Sequence, residues 1–151
     1  MSAAALRLHR VEADRLTLRI EGNLEGIEAG QQALHVFLES GATSPRALFG
    51  AELAYDELVS NVVKYAYGGL TGDPREIEIV AEMGGDEIVV SIEDDGPPFN
   101  PLEVPEPAMV TTLADAQPGG RGIFLVRKTA RNVEYERRAG RNHVRVTIQR
   151  T

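Results

Sequence analysis

The sequence predicts an α+β fold: a two-layer sandwich in which a mixed, mostly antiparallel sheet carries its helices on one face. Three observations predict it. Two segments repeat their apolar residues at helical spacing, between Leu24 and Gly41 and from Pro45 to about Tyr67. Ile77 and Ile79 are joined to Ile88, Val90 and Ile92 through Gly84-Gly85-Asp86, the pattern of a hairpin. A second hairpin closes the chain, with Val133 and Tyr135 on one arm, Val144, Val146 and Ile148 on the other, and Gly140 at the bend. Hairpins make neighbouring strands antiparallel, and helices gathered between them cover one face of the resulting sheet.

Each element follows in chain order. Leu16, Leu18 and Ile20 alternate with Thr17, Arg19 and Glu21, a period of two that predicts the strand beginning the sheet. Gly22 and Asn23 turn the chain into the first helix, whose apolar positions are Leu24, Ile27, Leu34, Phe37 and Leu38. Ser44 as N-cap and Pro45 in the first turn open the second helix. Its Leu48, Tyr55, Val59, Val62 and Ala66 make the stripe expected against the sheet. After the first hairpin, the proline-rich stretch from Pro97 to Pro118 lacks periodicity, and so long a loop in a small domain predicts a lid. Gly119 to Gly122 then leads into a short helix with Ile123, Leu125, Val126 and Ala130, ahead of the closing strands. The expected order is βααββ, lid, αββ, within one domain spanning residues 1–151.

Composition narrows the function classes. A formal net charge of −7 argues against a broad phosphate-gathering surface, so nucleic acid is not an expected partner. The absence of cysteine excludes disulfides, thiolate metal sites and a cysteine nucleophile, and fits a reducing compartment. No run has the apolar length of a signal peptide core or a membrane span, so the expected location is the cytoplasm, with no membrane association.

Three constellations carry chemistry. In Glu57-Leu58-Val59-Ser60-Asn61, extended to Lys64, positions 57, 61 and 64 share one stripe of a helix. The Asn61 amide oxygen suits Mg²⁺, and Glu57 one turn earlier can take a proton from a hydroxyl attacking a phosphate. Alone, the motif reads more readily as a solvated helix face. In Asp94-Asp95-Gly96-Pro97-Pro98-Phe99-Asn100-Pro101, an acid is fixed at a strand end, where it can accept the exocyclic amine of adenine while Gly96 admits the base close to the backbone. An acidic turn has the same residues. Gly119-Gly120-Arg121-Gly122-Ile123 frees amides at a helix N-terminus to meet a phosphate, or is simply a hinge.

Taken together, in this order and on these elements, the three motifs resemble the ATP-binding site of the GHKL superfamily, the Bergerat-fold ATPases that include gyrases, heat-shock chaperones, histidine kinases and mismatch-repair proteins. Within it, the short chain, the run Asp94 to Pro101 and Gly119 to Val126 are similar to the serine/threonine kinases that act as bacterial anti-sigma factors. The resemblance extends from about Leu16 to Ile148. It implies Glu57 as catalytic carboxylate and Asn61 as Mg²⁺ ligand. Asp94 becomes the adenine acid and Gly96 the glycine beneath the base. Lys64 would face phosphate, and Gly119, Gly120, Arg121 and Gly122 would form the phosphate loop beneath a lid of about Leu102 to Pro118. It also implies ATP and Mg²⁺ as cofactors, and as partners a small anti-sigma-factor antagonist, a sigma factor and a second copy of the chain, since homodimers are common in the family. An alternative is a nucleotide-gated binding switch without kinase activity. A histidine-kinase catalytic domain is a third reading, and it lacks a phosphoacceptor helix here. Pro98 stands where many relatives have glycine, Pro118 where the kinases carry a basic residue, and Gly140-Arg141-Asn142 where a Gly-Thr pair is common.

Overall fold

The computed structural model describes residues 5–66, 75–103 and 121–151. The described elements are β1 (Leu6–Glu12), β2 (Arg15–Glu21), α1 (Leu24–Glu39), α2 (Pro45–Asn61), β3 (Glu76–Gly84), β4 (Glu87–Asp94), α3 (Arg121–Thr129), β5 (Asn132–Arg138) and β6 (Arg141–Gln149). The six strands form one sheet in the order β1-β2-β3-β4-β6-β5. Every pairing is antiparallel, so the mixed component expected of the sheet is absent among the described residues.

Two elements depart from the sequence expectation. The sheet begins one strand earlier, because Leu6–Glu12 pairs with β2 at the sheet edge. Arg7, His9, Arg10 and Glu12 interrupt its apolar residues, and only Leu6 and Leu8 are even half-buried, so it has no strong period of two. Charges along an edge also discourage pairing with another chain. The second helix ends its α-helical part at Asn61 and continues as a π-helical stretch, Val62–Ala66.

Alternation along the strands builds the core. Leu16, Leu18 and Ile20 of β2, Ile77 and Ile79 of β3, Ile88, Val90 and Ile92 of β4, and Val146 of β6 are all at most 2% exposed. Between them stand Arg19, Glu78, Ser91 and Arg145 on the opposite, open face. Tyr55, Val59 and Val62 of the predicted stripe are buried against this core, Leu48 is half-buried, and the side chain of Ala66 lies outside the description. The two helices are capped as their sequences predict: the Asn23 side chain accepts from the Gly26 amide, and Ser44 accepts from the Ala47 amide. Tyr55 joins the helices by donating its hydroxyl to the Ile27 carbonyl at 2.8 Å, and burial pushes its phenol well above its ordinary pKa.

The closing hairpin turns at Ala139 and Gly140, both at positive φ (53° and 74°). Two such residues make the tight turn whose twist matches that of the strands it joins. This turn fixes the β5/β6 register, and β6 on its other side pairs with β4, where Asn142 stands directly opposite Asp94.

Candidate functional site

Among the described residues, three polar side chains belong to the buried interior: Asn61 (6% exposed), Asp94 (3%) and Asn142 (2%). An unsatisfied polar group in such surroundings costs about 1 to 3 kcal/mol, so each needs partners or a ligand. All three line one pocket, floored by Ile92 and Val144, with Leu58 and Val62 from the helix side and Phe99 and Pro101 from the loop after β4. Asn61 arrives at the C-terminal end of α2, Asp94 at the end of β4 and Asn142 near the start of β6.

The hydrogen bonds around Asp94 are one-sided. Its Oδ1 accepts from the Gly96 amide at 2.9 Å and from Asn142 Nδ2 at 3.0 Å. Its Oδ2 has no donor among the described residues. A carboxylate accepts through both oxygens, so one of them remains for an amine brought by a ligand. Gly96 is held in turn by Arg137, whose Nη1 donates to the Gly96 carbonyl at 2.7 Å.

Glu57 is half-buried and lies against the start of α3. A Cβ placed on Gly122 would come within 1.7 Å of Glu57 Oε2, so the glycine leaves to the Glu57 carboxylate the space a side chain would take. The proposed carboxylate of α2 and the last glycine of the phosphate motif are thereby neighbours. Gly119, Gly120 and residues 104–118 of the expected lid lie outside the described residues, while Leu102 and Glu103 belong to a 3₁₀ turn, Pro101–Glu103. Arg121 opens α3, and its side chain is likewise outside the description.

Lys64 is exposed on the π-helical stretch. A π turn holds more residues than an α turn, which carries Lys64 off the line through Glu57 and Asn61. Tyr65 stacks on Phe99, with ring centroids 5.4 Å apart and planes at 16°. Asn142 and Phe99 are pocket residues to which the sequence motifs assign no role. The available signal for Asn142 is its place two residues past the hairpin glycine, opposite the strand-end acid.

A second polar cluster lies on the seam between α1 and α2, at residues flanking Glu57. His35 contacts Glu39 through Nε2 and Glu52 through Nδ1. With an acid at both ring nitrogens, the imidazolium is favoured, and the Glu52 hydrogen bond raises the His35 pKa. Next to it, Gln31 Nε2 donates to Asp56 Oδ2 at 3.0 Å. Burial, with Glu52 and Glu57 nearby, pushes the Asp56 carboxyl up from 3.8 to about 6.

Residues 20–148 match the family described as the histidine kinase-like ATPase domain. The chain belongs to that family. It is similar to the serine/threonine-protein kinase BtrW of Bordetella bronchiseptica, at 34% identity over 104 residues, 69% of this chain and 72% of that protein. It is similar also to the serine-protein kinase RsbW of Listeria monocytogenes, at 27% identity over 122 residues, covering 75% of this chain and 73% of the relative. The RsbW of Listeria innocua aligns over the same length at 26%. As a histidine kinase-like ATPase domain, the chain has the antiparallel sheet and the helix layer on which the pocket is built. No described helix is long and apolar enough to cross a membrane.

Proposed function

We propose that this chain binds ATP with Mg²⁺ and transfers the γ-phosphoryl group to a serine or threonine of a small anti-sigma-factor antagonist, holding a sigma factor when that antagonist is phosphorylated. The observation that carries the nucleotide reading is the pocket: a buried acid with one oxygen free among the described residues, and two buried amides, on otherwise apolar walls. An adenine base suits such walls, with its exocyclic amine on Asp94 Oδ2 and its faces against apolar side chains. No cluster of three or more histidine or acidic side chains suited to a metal occurs among the described residues. A single amide oxygen, that of Asn61, fits Mg²⁺ bound chiefly by water and phosphate oxygens. The metal would supply charge neutralisation on the phosphates.

The chain's own groups then have distinct tasks. Asp94 reads the base and Gly96 leaves room beneath it. Asn61 holds the metal side of the triphosphate. Gly119 and Gly120, which precede α3 in the sequence, and Arg121 and Gly122 at its start are the groups assigned to the phosphates, through backbone amides and one cation. Glu57, touching Gly122, sits at the γ-phosphate end. It takes the proton as the acceptor hydroxyl oxygen bonds to phosphorus and the bond to the β-phosphate oxygen breaks, releasing ADP. The names of the relatives support the kinase part of this reading, and the antagonist and sigma factor follow from the anti-sigma resemblance.

Isothermal calorimetry tests the site. Wild type is expected to bind ATP in the presence of Mg²⁺ and much more weakly in its absence, and Asn61→Ala to lose that metal-dependent affinity. Asp94→Asn should weaken ATP and erase the preference for adenine over guanine, because the acceptor acquires donors of its own. Wild-type affinity in both variants would place the nucleotide elsewhere.

A further inference from the structure

Asn142 is among the most buried polar side chains described, and its hydrogen bonds are spent entirely within the protein. Its Nδ2 donates to Asp94 Oδ1 at 3.0 Å, to the Pro97 carbonyl at 2.9 Å and, at 3.4 Å, to the Gly96 carbonyl. Its Oδ1 accepts from the Phe99 amide at 3.2 Å and from the Tyr135 hydroxyl at 2.6 Å. The amide orientation is over-determined, since acceptors surround one atom and donors the other. One side chain therefore joins β4, β5, β6 and the loop entering the lid region.

We propose, resting on the nucleotide reading above, that Asn142 is the positioning residue of the base pocket. It turns Asp94 so that Oδ1 is filled and Oδ2 is left for the ligand, and it clamps residues 96–99 so that Phe99 forms a wall of the pocket. Its Nδ2 has a chemical task as well as a geometric one. The bond it donates to Oδ1 leaves Oδ2 as an acceptor, which distinguishes an amine from a carbonyl on the base. Asn142 acts through Asp94 and the loop, without touching the ligand.

The variant that separates this role from mere packing is Asn142→Asp. It keeps size and the acceptor facing Phe99 and Tyr135, but sets a second carboxyl against Asp94. Two carboxyls in contact share a proton at low pH, and one of them titrates with a raised pKa. While the proton is shared, the introduced carboxyl donates to Asp94 and restores that hydrogen bond, but its single proton leaves the Pro97 carbonyl without the donor that Asn142 Nδ2 supplied. When the shared proton is lost, two anions face each other and Asp94 is displaced.

The experiment is ATP binding at saturating Mg²⁺ from pH 5.5 to 8.5, each value divided by wild type at the same pH to cancel the titration of the nucleotide itself. Relative to wild type, Asn142→Asp is expected to bind at least about tenfold more weakly at pH 8.5 than at pH 5.5, where it keeps the bond to Asp94 and lacks the one to Pro97, whereas Asn142→Ala should be weakened by the same factor throughout. Titration of the Asp94 side-chain carbon, followed by NMR without nucleotide, should show the shared proton in Asn142→Asp alone. A ratio for Asn142→Asp that does not vary with pH, or wild-type binding by both variants, would overturn the proposal. A wild-type chain that binds no ATP at any pH defeats the nucleotide reading and the proposal with it, and is a distinct result.

Discussion

At the scale of single residues, the site divides into groups whose chemistry is visible in a motif and groups whose role depends on what folds against them. Asn61 and Asp94 belong to the first kind, because an asparagine one turn after a glutamate and an acid at a strand end before glycine have recognisable spacing. Asn142 belongs to the second, since after a hairpin glycine it reads as a turn residue until β6 pairs with β4. Asp56 is equally invisible in the sequence, and it carries a testable cost. Its carboxyl is raised to about 6, so the folded chain holds that proton more tightly than the unfolded one. Ionising it therefore removes stability between pH 3.8 and about 6, and the deficit persists above that range. Asp56→Asn keeps an oxygen for Gln31 and loses the charge, so it should stabilise the fold at pH 7.5 by about 1 kcal/mol after allowance for partial exposure, and by almost nothing near pH 4. Urea denaturation at the two pH values measures this. Equal effects at both would mean that burial and the charges of Glu52 and Glu57 do not act on Asp56 as described.

At the scale of elements, periodicity marks β2 to β4, α1, α2 and the closing hairpin, because each of them buries one face. It misses β1, which lies at the sheet edge with most side chains in solvent and so lacks the alternation that marks a half-buried strand. It also extends α2 as one regular helix through Tyr67, whereas the stretch after Asn61 is π-helical. No residue type encodes that extra residue per turn, and the stacking of Tyr65 on Phe99 accompanies it. The junction of α2 and α3 yields a second prediction. In Gly122→Ala, the new Cβ meets mainly the far end of the Glu57 side chain, which can move aside at little cost. The melting temperature should hardly change, while phosphoryl transfer should fall about a hundredfold as the carboxylate leaves its place. A large drop in melting temperature instead would show that the Glu57 contact holds the helices together. The seam of α1 and α2 yields a third. His35 is raised by its glutamates, so its stabilisation is full below its unfolded pKa of 6.5 and fades as pH climbs past its higher folded value. His35→Gln should therefore lower the melting temperature at pH 6 more than at pH 9, and an equal loss at both would show that the ring contributes by packing alone.

At the scale of the molecule, the fold class was legible because hairpins and amphipathic helices are local signals, and much of the strand order follows once each hairpin closes. The pairing of β4 with β6, on which the pocket depends, is not local: it joins residues 87–94 to 142–149 across the loop and α3. The same separation explains why three weak motifs, each with an ordinary alternative when read alone, gain meaning when the sheet places Asp94 and Asn142 beside Asn61, and α3 beside Glu57. The central claim is that this assembly moves a phosphoryl group rather than only gripping a nucleotide, and Glu57 is where the two differ. The most direct measurement is incorporation of labelled γ-phosphate into a candidate small antagonist protein, by wild type and Glu57→Gln at saturating ATP and Mg²⁺. Wild type is expected to incorporate label, and Glu57→Gln to lose about a hundred- to ten-thousand-fold of that rate with its ATP affinity nearly unchanged. Wild type that binds ATP and the antagonist yet incorporates no label would contradict the claim, leaving a nucleotide-gated switch in place of a kinase.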